Sequence, residues 1–374
     1  MTRKAKARLL WAGLFLLALG LCLFWFARQN AETSLQTFAM GSYVRQTAWG
    51  PGGKAAMEAA SQAAADLENR ISWRREGDIA KMNSQAGGEP VTVDESTYTG
   101  ELLEELLELC ERSGGALDIT IGPVSRLWDF DGEPRVPGED ELKEALALVG
   151  HTKLSMESEE YMYGEDRADG SHMDCLGTRY RVSLTEAGMA LDLGALGKGA
   201  ACDAAAEAYR QAGVRGAVAA VGGSVGLYGE KPGGKAFRVS VRDPKGDQAG
   251  SLGVLELPGG YVSTSGSYEK YFEQNGEKYH HILDPRTGYP AESGLVSVTV
   301  WCPPDMDWEW PGALSDGLAT ACFVLGLEDG QKLLASYGAE GIFVDGDDAV
   351  TVTPGLEERF SLTAPGYHRE AGAP

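Results

Sequence analysis

Two hydrophobic periods run along this chain, and they divide it into helices and strands. From Lys54 to Ile71, small apolar residues recur at helical spacing (Ala55, Ala56, Ala59, Ala60, Ala63, Ala64, Leu67) with no internal Gly or Pro. Ser96 to Arg112 predicts a second helix, with Leu102, Leu103, Leu106, Leu107 and Leu109 on its buried side and Gly114-Gly115 as its stop. Asp140 to Val149 is a third, cut off by Gly150. Lys198 to Ala212, Ser315 to Leu327 and Asp329 to Tyr337 predict three more. Period-two or β-rich runs bounded by Gly, Pro or turn residues predict strands at Arg179–Leu184, Met189–Leu193, Gly216–Val221, Phe237–Arg242, Gly253–Leu257 and Leu295–Trp301. Residues 29–38 read as a polar spacer, and residues 157–174 as an acidic, irregular, solvated loop. Strands occur in pairs as well as alternating with helices, which favours an α+β fold over a doubly wound sheet.

Ahead of these elements lies an uncharged apolar run from Leu9 to Ala27. A helix of roughly 20 such residues crosses a bilayer core. Arg3, Lys4, Lys6 and Arg8 precede the run, Arg28 follows it, and no acidic residue falls within residues 1–31. Basic residues on the leading side predict a cytoplasmic N-terminus, with the rest of the chain outside the cytoplasm. The run exceeds the roughly 7–15 apolar residues of a cleaved signal, and Leu21 stands before Cys22 where a lipoprotein would have a small residue. An uncleaved anchor over residues 1–28 is therefore expected, ahead of one domain over residues 29–374.

The 374 residues carry a net charge of −22, and the first segment is basic, so the remainder is more acidic still. That excludes nucleic acid as the main partner, because neutralising phosphates needs a basic surface. The 50 glycines follow no G-x-y period, which excludes collagen and favours a turn-rich mixed fold. The six cysteines (Cys22, Cys110, Cys175, Cys202, Cys302, Cys322) form no C-x-x-C pair. Neither a disulfide framework nor a zinc site is indicated.

Four clusters could carry chemistry. In Gly114-Gly115-Ala116-Leu117-Asp118, a glycine pair lets backbone approach a ligand; a plain helix stop followed by a strand is the alternative. Asp192-Leu193-Gly194-Ala195-Leu196-Gly197-Lys198-Gly199 reads as a strand end, a Gly-rich turn and a helix start, where free N–H groups and a lysine attract phosphate. Its glycine spacing is not that of a P-loop. In His280-His281-Ile282-Leu283-Asp284, a histidine near a carboxylate could titrate near neutrality. Adjacent strand residues point to opposite faces, so one of the two at most enters a given site. In Asp316-Gly317-Leu318-Ala319-Thr320, a carboxylate and a hydroxyl share one helical face and are hard oxygen donors suited to Mg²⁺. Each cluster alone also has an ordinary structural explanation.

Together, and in this order, the clusters resemble the ApbE-type FAD:protein FMN transferases. The match also includes Ala39-Met40-Gly41-Ser42, Ser263-Thr264-Ser265-Gly266 and His281-Ile282-Leu283-Asp284-Pro285-Arg286-Thr287-Gly288. The resemblance implies a mixed, largely antiparallel α+β fold. It implies that FAD is a substrate split at its pyrophosphate with Mg²⁺ assisting, and that FMN passes to a Thr or Ser hydroxyl of an extracytoplasmic flavoprotein, such as a redox-pump subunit, as AMP leaves. It implies FAD contacts at Met40, Trp73, Ala116, Leu117, Asp118, Asp192, Lys198 and Leu283. Mg²⁺ ligands would be Ala195 through its carbonyl, Asp316 and Thr320. His281, not His280, would take the proton, with Asp284 as a candidate to orient it. Ser42 replaces the family threonine, and Gly77-Asp78 replace a Ser-Glu pair ahead of Asn83. An FAD pyrophosphatase using water, or a flavin-binding module without chemistry, are the rival readings of the same residues.

Overall fold

The computed structural model describes residues 3–94, 98–166, 172–247 and 250–370. Its centre is a nine-stranded sheet. From one edge to the other its strands are Glu32–Ala39, Ser42–Trp49, Gly216–Val221, Ser224–Gly229, Gly260–Gly266, Leu295–Cys302, Glu340–Asp345, Ala349–Val352 and His368–Glu370. Every pairing in it is antiparallel except the last. The helices Gly53–Ile71, Gly197–Gln211 and Pro311–Leu325 pack against one face. A three-stranded sheet (Phe360–Leu362, Ser251–Leu257, Phe237–Arg242) joins a second core around Trp49, Phe237, Leu255 and Trp301. Leu295–Cys302 lies between the two cores: Val298 and Val300 belong to one, Trp301 to the other. That explains why its sequence reads as an almost unbroken apolar run. The architecture is the expected α+β, mixed and largely antiparallel.

The helix Gly53–Ile71 buries Ala56, Ala60, Ala64, Leu67 and Ile71. This stripe of small side chains lets the helix Gly197–Gln211, itself lined by buried Ala201, Ala205 and Ala208, come close. The helix Pro311–Leu325 crosses that second helix closer still. A Cβ on Gly199 would stand 2.0 Å from the Gly312 carbonyl oxygen, and one on Gly312 would stand 2.5 Å from the Gly199 carbonyl oxygen. Only glycine fits either position.

Three expectations need correction. The polar stretch 29–38 is mostly a strand, Glu32–Ala39, at the sheet edge. Its exposed polar positions alternate with half-buried ones, so low hydrophobicity hid an edge strand. The acidic stretch 157–174 lies in a long hairpin, Leu154–Asp166 with His172–Leu184, whose tip falls outside the described residues. Glu157 lies opposite Arg181 and Glu159 opposite Arg179. Cross-strand charge pairs of this kind make an acidic strand tenable. Met189–Leu193 is not a strand but an extended segment with one bridge, Ile121 to Ala190. The expected start of the second helix at Ser96 also lies outside the described residues; the helix runs from Thr99 to Arg112.

The first helix, Arg3–Gln29, contains an apolar span, Leu10–Gln29, in which 18 consecutive residues have a mean hydropathy of 2.2 and none of them is buried. By length and composition it can cross a membrane or act as a signal sequence. No disulfide forms among the described residues, and Cys110, Cys202, Cys302 and Cys322 are buried thiols.

Candidate active site

A cleft of about 860 Å³ opens beside one end of the central sheet. That volume lies at the upper end of the range for small-molecule sites. Every residue carried over from the family resemblance lines it: Met40, Trp73, Ala116, Leu117, Asp118, Asp192, Ala195, Lys198, His281, Leu283, Asp316 and Thr320. They come from the first hairpin turn, the end of the Gly53–Ile71 helix, three loops and the two crossing helices.

The crossing of Gly199 and Gly312 builds the charged corner. Asp316 is buried in the helix Pro311–Leu325, and its Oδ2 accepts a hydrogen bond from the Gly199 backbone N–H at 3.0 Å. Lys198 Nζ stands 3.5 Å from the same oxygen. Asp316 thus takes one of the free N–H groups at the start of the Gly197–Gln211 helix, which the sequence alone offered to phosphate. Thr320, one turn beyond Asp316, donates to the Asp316 carbonyl (3.3 Å) and lies 3.1 Å from the Ser265 hydroxyl. A hydroxyl has one donor and two acceptor sites, so Thr320 keeps a lone pair in this arrangement. Asp316 Oδ1 has no partner among the described residues. No group of three or more His, Cys, Asp or Glu gathers anywhere among the described residues. The donor set therefore suits a hard cation that keeps waters and takes phosphate oxygens, as Mg²⁺ does, and not a soft or imidazole-bound metal.

The two histidines separate: His280 ends the strand Glu277–His280 and His281 is the first residue beyond it. His280 turns inward: its Nδ1 accepts from the Ile282 N–H (3.3 Å), its Nε2 donates to the Ala291 carbonyl (3.2 Å), and its ring meets Phe323 edge-on. His281 lines the cleft and lies edge-on to Phe130. Its Nδ1 is 3.2 Å from the Lys270 carbonyl, which only accepts, so the proton sits on Nδ1 and Nε2 carries the lone pair. Burial, then the charges of Lys198 and Lys270, depress its pKa from 6.5 to about 4. It does not titrate near neutrality; it is neutral there. Asp284 does not orient it. That carboxylate is taken up by Arg286, with Oδ1 accepting from Nε and Oδ2 from Nη2, each at 2.8 Å.

The other lining residues differ in how much side chain they offer. Met40 and Gly41 form the two-residue hairpin turn, both at positive φ (52° and 65°), as such turns demand. That conformation is costly for Met, and the Met40 N–H is held by Glu68 Oε2 at 2.9 Å. The Trp73 ring lies under the Arg74 guanidinium (4.3 Å) and near that of Arg126 (5.1 Å). Both oxygens of Asp118 are engaged: Oδ1 by Thr120, Oδ2 by the His151 backbone and ring. Its carboxylate thus fixes the 116–121 loop, which begins no strand and instead enters a short helix at Gly122. Asp192 Oδ1 accepts from the Gly194 N–H, tightening the turn before Lys198. The Leu283 side chain is buried in one apolar cluster with Trp128 and Leu142.

The roles of several cleft-shaping residues escaped the sequence reading. Glu68 lies four residues after Ala64 on the buried stripe, an out-of-pattern carboxylate that could have signalled it. Asn83 clasps Leu191 from both sides, accepting from its N–H (2.6 Å) and donating to its carbonyl (3.0 Å), and so holds the segment that carries Asp192. Asp131 joins the Arg74 guanidinium (2.6 Å) to the Lys270 ammonium, tying the Trp73 loop to the hairpin beside His281. Burial works to raise the Asp131 carboxyl, but those two bonds hold it below the ordinary range.

The sequence profile of the ApbE family matches residues 40–343. An FAD:protein FMN transferase of Treponema pallidum (strain Nichols) is 36% identical over 300 residues, covering 77% of this chain and 76% of that protein. A second, from Vibrio cholerae, is 32% identical over 265 residues and covers 70% of each. Among solved structures, the ApbE protein of Thermotoga maritima superposes with a TM-score of 0.72 at 29% identity, over 88% of this chain and 99% of that one. The flavinyl transferase ApbE of Pseudomonas stutzeri gives 0.70 at 27% identity, over 90% and 99%. With the profile spanning most of the chain and the same fold recovered in solved relatives, this protein belongs to the ApbE family.

Proposed function

We propose that this protein is an Mg²⁺-dependent FAD:protein FMN transferase, attached to the membrane by its first helix and acting outside the cytoplasm. The observation that carries the reading is the meeting, in one cleft, of an aromatic wall at Trp73, the Asp316–Thr320–Lys198 corner and a neutral His281 with its lone pair on Nε2. FAD is the substrate. Its pyrophosphate belongs at the Lys198 corner, and its rings belong against Trp73 and the Ala116–Asp118 loop.

In the reaction, a Thr or Ser hydroxyl of a target flavoprotein attacks the phosphorus on the FMN side. The P–O bond to the AMP phosphate breaks, a phosphodiester to the protein forms, and AMP leaves. His281 Nε2 takes the hydroxyl proton, a step typically worth about 10²–10⁴-fold. Lys198 offsets negative charge that would repel the nucleophile. Asp316, Thr320 and the Ala195 carbonyl would hold Mg²⁺, which supplies charge withdrawal from the phosphate oxygens and steadies the leaving group. The buried Gly199–Asp316 bond keeps that carboxylate in register with Lys198.

The test incubates the protein with FAD, MgCl₂ and candidate flavoproteins encoded with it, then looks for flavin fluorescence that survives denaturing electrophoresis, with AMP released in equal amount. Free FMN with AMP and no labelled protein would mean that water is the acceptor. Absence of both products would overturn the reading.

A further inference from the structure

Outside the cleft, Asp203 is a buried carboxylate with two backbone N–H donors aimed at it. Its Oδ1 accepts from the Gly312 N–H and its Oδ2 from the Ala313 N–H, both at 2.8 Å. Asp203 belongs to the helix Gly197–Gln211, which carries Lys198. Gly312 and Ala313 open the helix Pro311–Leu325, which carries Asp316. The first turn of a helix has unpaired N–H groups that need acceptors, and here the neighbouring helix supplies one.

The same helix start has a second carboxylate cap of different origin. Glu105, from the helix Thr99–Arg112, accepts from the Glu309 N–H (2.8 Å) and the Trp310 N–H (3.1 Å). Both caps stabilise the start of the Pro311–Leu325 helix. Only Asp203 ties it to the helix that bears Lys198.

We propose that Asp203 is a positioning residue for the charged corner: it clamps the two crossing helices so that Asp316, Thr320 and Lys198 keep one register. The crossing is pinned twice, by Asp203 on Gly312 and Ala313 and by Gly199 on Asp316, with the two glycines in contact between the pins. Removing the Asp203 pin lets the Pro311–Leu325 helix slide or rotate, which moves Asp316 and Thr320 together relative to Lys198. The inference rests on the reading of that corner as the Mg²⁺ and pyrophosphate site.

The experiment compares full-length wild type, Asp203→Asn and Glu105→Gln in detergent. FAD fluorescence is titrated with MgCl₂ to give the half-saturating Mg²⁺ concentration, and thermal unfolding is followed separately. In Asp203→Asn an amide NH₂ faces a backbone N–H, so that pin is broken. Its half-saturating Mg²⁺ should rise about 10-fold, while FAD affinity without Mg²⁺ stays within about 3-fold. Glu105→Gln should lose a comparable amount of thermal stability yet keep its Mg²⁺ response within about 2-fold. Asp203→Ser, whose shorter hydroxyl can accept from at most one of the two N–H groups, should shift the Mg²⁺ response in the same direction by about 3-fold, and it serves if Asp203→Asn does not fold. A Mg²⁺-responsive wild type with an unmoved Asp203→Asn, or equal shifts in Asp203→Asn and Glu105→Gln, overturns the inference alone. A wild type whose FAD signal ignores Mg²⁺ overturns the metal reading, and the inference with it.

Discussion

Replacing Gly199 by alanine tests the central geometric claim, that the site depends on two helices touching through glycine. The new Cβ would lie 2.0 Å from the Gly312 carbonyl oxygen and 2.9 Å from Asp316 Cβ. Both obstacles are anchored in a helix, so no rotamer change relieves them, and the helices must part by about 1 Å to reach a tolerable contact. The Gly199 N–H to Asp316 bond, 3.0 Å long, would then stretch toward roughly 4 Å and cease to be a hydrogen bond. Overpacking of this kind costs about 1–3 kcal/mol. Losing a bond to a buried carboxylate costs about 1.5–3 kcal/mol. A destabilisation of about 3–5 kcal/mol is expected from urea unfolding. The same shift displaces Asp316 by about 1 Å, enough for roughly a 10²-fold loss in turnover, measured as AMP release from FAD. A Gly199→Ala protein within about 1 kcal/mol and 3-fold of wild type would refute the reasoning, because the clash would then be absorbed without moving the corner.

Asp316→Asn should lower transfer by at least about 10²-fold while weakening FAD binding far less, since it removes a charged oxygen from the cation's donor set; full activity at limiting Mg²⁺ would sink that assignment. His281→Ala should lower the transfer rate by roughly 10²–10⁴ with FAD affinity nearly unchanged. His280→Ala should keep wild-type turnover but lower the unfolding temperature, because its ring bonds Ala291 and Ile282 and packs on Phe323. If His280→Ala is the inactive variant, the division of roles between the two rings is wrong.

What the sequence made legible follows from how local each signal is. The helices Gly53–Ile71 and Gly197–Gln211 announced themselves through alanine spacing, and the cleft residues through motifs only a few residues long. The edge strand Glu32–Ala39 and the acidic hairpin did not, because what stabilises them is a partner strand. The opposition of Glu157 to Arg181 joins residues far apart in the chain and has no local signature. The same is true within the site. The i, i+4 spacing of Asp316 and Thr320 was visible, but that Asp316 caps a different helix through Gly199 was not. Nor was the partner of His281, since Asp284 lies three residues away in sequence whereas the Lys270 carbonyl comes from the neighbouring strand's approach.

 Among six cleft carboxylates, four cations, Arg74, Arg75, Lys198 and Lys270, line the same cleft. Two of them, Lys198 and Lys270, join burial in lowering His281 to about 4. A group with a lowered pKa stays neutral above that value, so in the free enzyme His281 can accept a proton at any pH above about 4 and loses that ability below it. An entering pyrophosphate brings negative charge to the Lys198 corner and offsets the field that held the imidazole down. In the FAD complex without Mg²⁺ the pKa of His281 should therefore rise, and Mg²⁺, returning positive charge to the same corner, should bring it back down. Imidazole NMR titrations of the free protein and of the Mg²⁺-free FAD complex read the two values. The free protein should titrate near pH 4 and the complex at a higher pH. Lys198→Met should narrow the gap between the two, because one of the charges being offset is gone. Coincident titrations in wild type, or a lower pKa in the complex, would show that the cations around His281 do not set its proton affinity.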